Sequence, residues 1–285
     1  MTMIRKIVMK KLKIAFQGEY GAFSEQAAVA YFGKSCIPIP KENFKDVFED
    51  VEKKRSAFGI IPIENSVFGS VHQNFDLLQE FSLQIIGELK LRIKMNLMAL
   101  PGTALNDIRN IYSHPQGLGQ SDKFLRTLKN VTLHPFYDTA GAAKMIFDER
   151  RKDSAAIASE QAASHYHLTI LKKSIETDHR NFTRFLVLSK TTIHPTRNAK
   201  TSLIFATKHI PGSLVHCLSA FAERGINLLK IESRPFVGKP WEYLFFVDID
   251  ARQKNNDCIS ALKELKKHTS YLKILGSYEV GKVVK

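Results

Sequence analysis

Asn181, Thr183 and Arg184 stand directly ahead of the apolar run Phe185-Leu186-Val187-Leu188. A carboxamide, a hydroxyl and a guanidinium at the mouth of a buried strand can orient a small polar ligand and grip a carboxylate. If the strand began at Asn181, its period of two would send Thr183 and Arg184 to opposite faces and set the charge beside Leu186 and Leu188. The sequence therefore predicts a strand starting near Phe185, with Asn181-x-Thr183-Arg184 at its mouth. Three more polar clusters each follow an apolar strand: GEYGAFSE (18–25), PIENSVFGS (62–70) and YSHPQGLGQ (112–120). Ligands of open α/β sheets bind beyond the carboxyl ends of the strands. Taken singly, the clusters read as local chemistry. Ser24 and Ser66 suit N-caps, Ser113 a loop hydroxyl, and Glu64-Asn65 a turn. Taken together, they read as a site.

The elements that must position these groups alternate. LKIAFQG (12–18) reads as a strand, SEQAAVAYFG (24–33) as a helix, FKDVFEDVEKKRSA (44–57) as a helix and FGIIPIEN (58–65) as a buried strand. A helix over 71–81, strands over 83–100 and 108–115, helices over 119–130 and 139–150, and a strand turning into a helix over 154–166 follow. Short apolar strands between helices predict an α/β domain with largely parallel sheets. After TTIHPTRNAK (191–200) the order becomes βαββαβ, the ferredoxin-like plan. The boundaries read as a basic extension at 1–11, a catalytic-sized domain at 12–190, a linker at 191–199 and a small sensor at 200–285.

Composition narrows the class. With 44% hydrophobic and 25% charged residues, a 285-residue chain can bury real cores in two or three units. No run approaches the ~20 apolar residues of a membrane span, and the basic start has no small-residue cleavage site, so a cytoplasmic protein is expected. Cys36, Cys217 and Cys258 are far apart, and His165 and His167 face different ways on a helix, so no metal site is expected. The net charge of +14 is scattered, five of its positive residues lying within the first thirteen, and no nucleic-acid-binding motif accompanies it. Such a field suits small anionic substrates.

In order, GEYGAFSEQA, GIIPIENSVFGSV, SHPQGLGQ, DTAGAA, IASEQAA and NFTRF resemble the prephenate dehydratase family. PGSLV (211–215) and KIESRP (230–235) resemble the phenylalanine-sensing ACT domain that follows it. The resemblance runs from about residue 12 to the C-terminus. The dozen residues ahead of the first motif leave no room for a fused chorismate mutase, so a monofunctional enzyme is expected. The resemblance implies a two-lobed, periplasmic-binding-protein-like α/β domain with the site between its lobes, and decarboxylating dehydration of prephenate to phenylpyruvate.

Aromatisation drives that reaction, so no cofactor is expected; the protein supplies a proton to the departing hydroxyl and a rigid grip. The family's essential threonine falls on Thr183. His114 is a second candidate donor, its ordinary pKa of ~6.5 suiting proton transfer, with a structural turn before Pro115 as the alternative. Arg184 is expected to hold the side-chain carboxylate rather than the leaving one, because gripping the latter would stabilise the ground state. Glu64, Asn65, Ser113 and Gln120, then Ser66, Gln116 and Thr139, carry over as substrate-binding residues, with Asn181 and Phe185 completing the mouth. One departure stands out: where family members carry His-Cys after the strand that follows Gly-Glu, this chain has Met95-Asn96, which implies a supporting role for that position.

In the sensor, Gly212, Ser213 and Leu214 open a helix whose free amides attract a carboxylate. Asn227, Glu232 and Ser233 complete an α-amino-acid site, Asn227 and Glu232 as acceptors for the amino group, and the resemblance implies phenylalanine held between two ACT domains. A homodimer or homotetramer follows from that. Two rivals remain: arogenate dehydratase, with the choice set near Thr139 to Ala143, and a non-catalytic amino-acid-binding regulator. Prephenate and phenylalanine are the expected partners; nucleic acid and membrane are not.

Overall fold

A computed structural model describes residues 11–195, 198–208 and 210–285. The basic extension thus lies outside the described residues except for Lys11, as do Thr196 and Arg197 of the linker. The chain forms two compact units. One holds the described residues up to Asn74, Leu89–Phe185 and Val283–Lys285; the other holds Phe75–Glu88 and the described residues of 186–282. Beside the division read at 190–200, residues 75–88 and 186–190 cluster with the C-terminal unit and Val283–Lys285 with the first.

The elements run β1 (Lys13–Gln17), α1 (Phe23–Phe32), β2 (Ile37–Lys41), α2 (Phe44–Glu52), β3 (Phe58–Asn65), β4 (Gly69–Ser70), α3 (His72–Glu80), β5 (Gln84–Arg92) and β6 (Asn96–Ala99). Next come β7 (Asn110–Ser113), α4 (Pro115–Gln120), α5 (Asp122–Leu125), β8 (Thr132–Pro135), α6 (Thr139–Asp148), β9 (Ser154–Ala158), α7 (Glu160–His165), β10 (Thr169–Lys172) and β11 (Phe182–Ser189). The C-terminal part has β12 (Ala199–Thr207), α8 (Ser213–Ala222), β13 (Leu228–Pro235), β14 (Tyr243–Ile249), α9 (Asn256–His268), β15 (Thr269–Glu279) and β16 (Lys282–Val284).

The first unit is built on two sheets, one per lobe. In the first lobe the order is β16-β5-β11-β3-β1-β2, with β1 parallel to β2 and β3. Strands β5, β11 and β16 continue past the unit's edge. In the second lobe the order is β10-β6-β9-β7-β8; β7 is parallel to β8 and β9, but β6 runs antiparallel to β9 and β10. The expectation of largely parallel sheets holds among β3, β1 and β2 and among β9, β7 and β8, at one end of each sheet, and fails where β6 pairs with β9 and β10. Ile14, Ala15 and Phe16 on β1 and all five residues of β9 are buried, as strands covered on both faces require. Each such Phe or Ile contributes about 1.5–3 kcal/mol by leaving water.

Strand β2 is absent from the sequence reading because Pro38 and Pro40 argue against a strand. It lies at the sheet's edge, where missing N–H groups cost no ladder bonds. The helix expected over 119–130 instead begins at Pro115, with His114 as its cap, and breaks at Ser121 into α4 and α5. Two segments carry the chain between lobes, and they are tied together: Ile93 N–H donates to Asn181 O at 2.9 Å and Ile175 N–H to Met95 O at 2.8 Å. The buried carboxylate of Glu176 accepts from Met95 N–H at 2.9 Å. At Gly21, with φ of +88°, a side chain would run into the backbone of Ala162, so only glycine lets α1 approach α7 this closely.

The second unit has the βαββαβ order as expected. Its antiparallel sheet runs β13-β14-β12-β15, and α8 and α9 cover Leu203, Phe205, Val247 and Ile249. Residues 75–88 take part in this unit through specific contacts. Arg234 grips Asp76 with two bonds of 2.8 and 3.3 Å. Lys273 Nζ donates to the carbonyls of Leu78, Gln79 and Phe81 at 2.7–3.0 Å, satisfying the C-terminal end of α3. Burial holds the Lys273 amine below its ordinary pKa. Lys200 and Glu88, both buried, pair at 2.6 Å.

Candidate active site

Strand β11 starts at Phe182, three residues earlier than the sequence reading placed it. Period-two alternation therefore does apply. Thr183 and Phe185 line a cavity of about 560 Å³ in the first unit, and Arg184 between them does not. The charge that argued against this register is accommodated because Arg184 Nη1 meets Glu64 Oε1 at 2.9 Å. Glu64 likewise alternates with Asn65 on β3, so the ion pair sits behind the strands while Asn65 and Thr183 face the cavity.

Asn65 organises the cavity floor. Its Oδ1 accepts the backbone N–H groups of Val67 and Phe68, both at 2.9 Å. Those bonds fix the orientation of the amide, so Nδ2 must donate, and it does so to Asn181 Oδ1 at 2.7 Å and Thr183 Oγ1 at 3.0 Å. Asn181 Nδ2 in turn donates to Gln120 Oε1 at 2.8 Å. With Oγ1 accepting from Asn65, the Thr183 hydroxyl keeps its own hydrogen to donate, and Thr183 lines the cavity. Gln120 keeps its own NH₂ for the same space, being a lining residue.

Around this floor the N-terminal turns of five helices converge. Phe23 and Ser24 of α1, Phe44 of α2, His72 and Gln73 of α3, Gln116 and Gly117 of α4, and Thr139 of α6 all line the cavity. Helix starts present N–H groups and a partial positive charge, so the cavity favours carboxylates without an arginine at its surface. Helix α1 has no side-chain cap, since Ala22 occupies the capping position. By contrast Asp138 caps α6, accepting from Gly141 N–H at 3.0 Å, and His114 caps α4.

His114 Nδ1 accepts from Gln116 N–H at 3.3 Å, so the neutral ring carries its proton on Nε2. Burial holds its pKa below the ordinary histidine value, against the opposing pull of Asp138. His114 therefore offers a neutral N–H rather than an imidazolium at neutral pH. Burial raises the Asp138 carboxyl, with backbone bonds from Glu19 and Gly141 working the other way. Tyr137, pushed up to about 12 by burial and by Glu19, stays protonated and donates to Glu19 Oε1 at 3.3 Å.

Of the substrate-binding residues read from sequence, Asn65, Gln116, Gln120, Thr139 and Phe185 line the cavity beside Thr183 and His114. Glu64, Ser66, Ser113, Asn181 and Arg184 do not, and all five bond to the elements around it. Ser66 clips β3 to β11, its Oγ donating to Arg180 O and accepting from Phe182 N–H, both at 2.9 Å. Ser113 Oγ donates to Ile157 O at 2.7 Å beneath Gly117, where a Cβ would strike that oxygen. Sequence reasoning missed Gln17, Glu42, Tyr137, Asp138, His72 and Gln73, all lining residues. Only Asp138 had a legible signal, as the capping residue of the DTAGAA helix. At the departure from the family pattern, Met95 lines the cavity and Asn96 ties strands, accepting from Ser174 N–H at 3.1 Å.

In the second unit Gly212, in left-handed conformation with φ of 79°, precedes α8, and Ser213 and Leu214 form its first turn. Glu232 and Ser233 lie on β13, at the edge of the sheet, and Asn227 in the turn before it. Glu232 meets Lys230 at 3.3 Å.

Residues 14–193 match the family model described as prephenate dehydratase. A bifunctional chorismate mutase/prephenate dehydratase of Aquifex aeolicus (strain VF5) is 40% identical over 270 residues, covering 94% of this chain and 74% of that protein. Arogenate dehydratase/prephenate dehydratase 2 of Arabidopsis thaliana, chloroplastic, is 41% identical over 281 residues, covering 95% and 73%. The crystal structure of prephenate dehydratase from Arthrobacter aurescens in complex with L-Phe superposes with a TM-score of 0.87 at 30% identity, over 94% of this chain and 90% of that one. By the match of residues 14–193 and by these relatives, the chain belongs to the prephenate dehydratase family, carbon–oxygen lyases of aromatic amino acid biosynthesis.

Proposed function

We propose that the chain converts prephenate to phenylpyruvate with Thr183 as the hydrogen-bond donor to the departing hydroxyl. The observation that supports this is the Asn65 Nδ2 bond to Thr183 Oγ1, which leaves the hydroxyl of this cavity-lining residue its own hydrogen to donate. The ring carboxylate leaves as CO₂, its bonding electrons enter the ring, and the C–O bond to the hydroxyl breaks. One proton is taken up to release that hydroxyl as water. Negative charge that builds on Thr183 Oγ1 as it shares its proton is stabilised by the Asn65 N–H already in place. His114 Nε2–H and the Gln120 amide serve as further donors, with Gln116 and Thr139 orienting the substrate.

The substrate's side-chain carboxylate goes to the uncapped first turn of α1. Arg184 then acts as a positioning residue rather than as the carboxylate grip read from sequence. With Glu64 it braces the strand ends that carry Thr183 and Asn65, and Ser66, Ser113 and Asn181 hold the same frame. The reading assigns residues 12–190 to the dehydratase, 191–199 to a linker and 200–285 to an ACT-type sensor. The sensor takes phenylalanine at Gly212, Ser213, Leu214, Asn227, Glu232 and Ser233 and inhibits turnover. The edge strand β13, with Leu229 and Ile231 each 46% exposed, is where a second copy adds to form a homodimer or homotetramer. A cytoplasmic location goes with three unpaired cysteines.

Turnover of purified full-length protein on prephenate, followed as phenylpyruvate release with and without phenylalanine, tests this. The expected result is release suppressed by phenylalanine. Phenylalanine binding without any turnover would instead favour a non-catalytic regulator.

A further inference from the structure

Helix α3 is shared by the two units: His72, Gln73 and Asn74 cluster with the first, and Phe75 to Glu80 with the second. His72 and Gln73 line the catalytic cavity. Asn74 is fully buried and fastens this turn to β3, its Nδ2 donating to Pro62 O at 2.7 Å. Just ahead of the helix, Val71 N–H donates to Ile63 O at 2.9 Å. Two residues beyond Ile63 on the same strand stands Asn65, the donor to Thr183. The start of α3 and the donor that addresses Thr183 are thus fixed to one short stretch of backbone.

The rest of α3 lies across the sheet of the second unit. Strand alternation sends Val247 to the face covered by α8 and α9 and Phe246 to the opposite face. There the ring of Phe75 meets Phe246 edge-on, with centroids 4.8 Å apart. Both outer strands of the sheet hold the helix. Arg234 of β13 grips Asp76, and Lys273 of β15 binds the carbonyls at the helix end. Arg234 directly follows Glu232 and Ser233, to which the reading above gives phenylalanine.

We infer that α3 is the relay by which the second unit acts on the dehydratase site, with Asp76 and Lys273 as its points of attachment. A hydrogen-bonded helix of nine residues transmits a shift of one end to the other. Phenylalanine on β13 favours one placement of Arg234 and hence of α3, which repositions His72, Gln73 and the β3 backbone that carries Asn65. The inference rests on phenylalanine-inhibited turnover as proposed above and deepens it.

The experiment uses the full chain as wild type, Asp76→Asn and Lys273→Met. On each, kcat/KM for prephenate is measured without phenylalanine and at saturating phenylalanine, and phenylalanine binding is measured by calorimetry. The ratio of the two kcat/KM values is the inhibition factor, and saturation makes it independent of phenylalanine affinity. The Asp76 side chain is 39% exposed, so Asp76→Asn decides the matter even where Lys273→Met fails to fold. The expected result is bound phenylalanine with an inhibition factor below one third of the wild-type value. An inhibition factor that stays above that level in Asp76→Asn overturns the relay, as does loss of phenylalanine binding in step with loss of inhibition. A wild type without turnover, or with turnover that ignores phenylalanine, defeats the reading above and the relay with it, and shows this before any variant is compared.

Discussion

Asn65 Nδ2 lies 3.0 Å from Thr183 Oγ1, across two adjacent strands and 118 residues of sequence. The direction of that bond is fixed from the other end of the amide, where two backbone N–H groups occupy Oδ1. Replacing the donor by an acceptor reverses the arrangement. In Asn65→Asp the Thr183 hydroxyl donates to the new carboxylate and no longer to the substrate. We expect kcat to fall by roughly 10²–10⁴, the range of a lost proton-transfer partner, with a smaller change in KM. Thr183→Ser keeps the hydroxyl and should retain far more activity than Thr183→Val. Steady-state kinetics on prephenate decide it; equal loss in the serine and valine variants removes the hydroxyl from the mechanism.

The Arg184–Glu64 pair gives the second prediction. Arg184 is buried, while the Glu64 side chain is 31% exposed, so removing the glutamate charge leaves a buried guanidinium with partial access to solvent. Glu64→Gln should cost about 1.5–3 kcal/mol of stability, the scale of a charged hydrogen bond. Arg184→Lys loses planar geometry and should lower kcat through the strand ends rather than raise KM alone. Chemical denaturation and kinetics on the same samples check both. A pure KM effect in Arg184→Lys would restore the arginine to direct substrate contact.

These two residues also show what was legible in the sequence. Thr183 and Asn65 could be found as polar groups at strand ends, and the βαββαβ order of the second unit could be read from period alone. The face of Arg184 could not, because its acceptability beside Leu186 and Leu188 depends on Glu64, 120 residues away. Strand β2 was hidden by prolines that only an edge position tolerates. The convergence of five helix starts was invisible for the same reason as the ion pair: it is made by topology, not by local pattern. Residues 75–88 read as ordinary helix and strand, and nothing local reveals that Lys273 and Arg234 hold them in the second unit.

A third prediction follows from His114, whose pKa burial holds below the unfolded value. As pH falls through ~6.5, the unfolded chain takes up a proton there before the folded chain does. Stability from this group is therefore present above ~6.5 and is lost as pH falls toward the folded pKa. Protonation also removes the Nδ1 acceptor from Gln116 N–H, so the start of α4 loosens in the same window. Thermal unfolding between pH 5 and 8 should show a steeper acid-side loss in wild type than in His114→Asn, which keeps a capping acceptor without a titrating ring. Parallel curves would mean that His114 does not set the slope.

The buried pair of the second unit supplies the last prediction. Lys200 Nζ sits 2.6 Å from Glu88 Oε2, with Asp248 Oδ2 at 3.6 Å, and both Lys200 and Glu88 are almost fully enclosed. Glu88 Oε1 also accepts from Gly281 N–H at 3.0 Å, so the carboxylate is held on both oxygens. Removing the lysine takes away the buried ammonium that both Glu88 and Asp248 approach. Lys200→Met should therefore cost about 3–5 kcal/mol, the range for an orphaned buried charge. Lys200→Met with Glu88→Gln should recover part of that loss, because one uncompensated charge is gone. Urea denaturation of the two variants measures the difference. If the double variant is no more stable than the single one, the pair is not where the energy lies, and Asp248 with its 2.5 Å bond from Ser202 becomes the residue to change next.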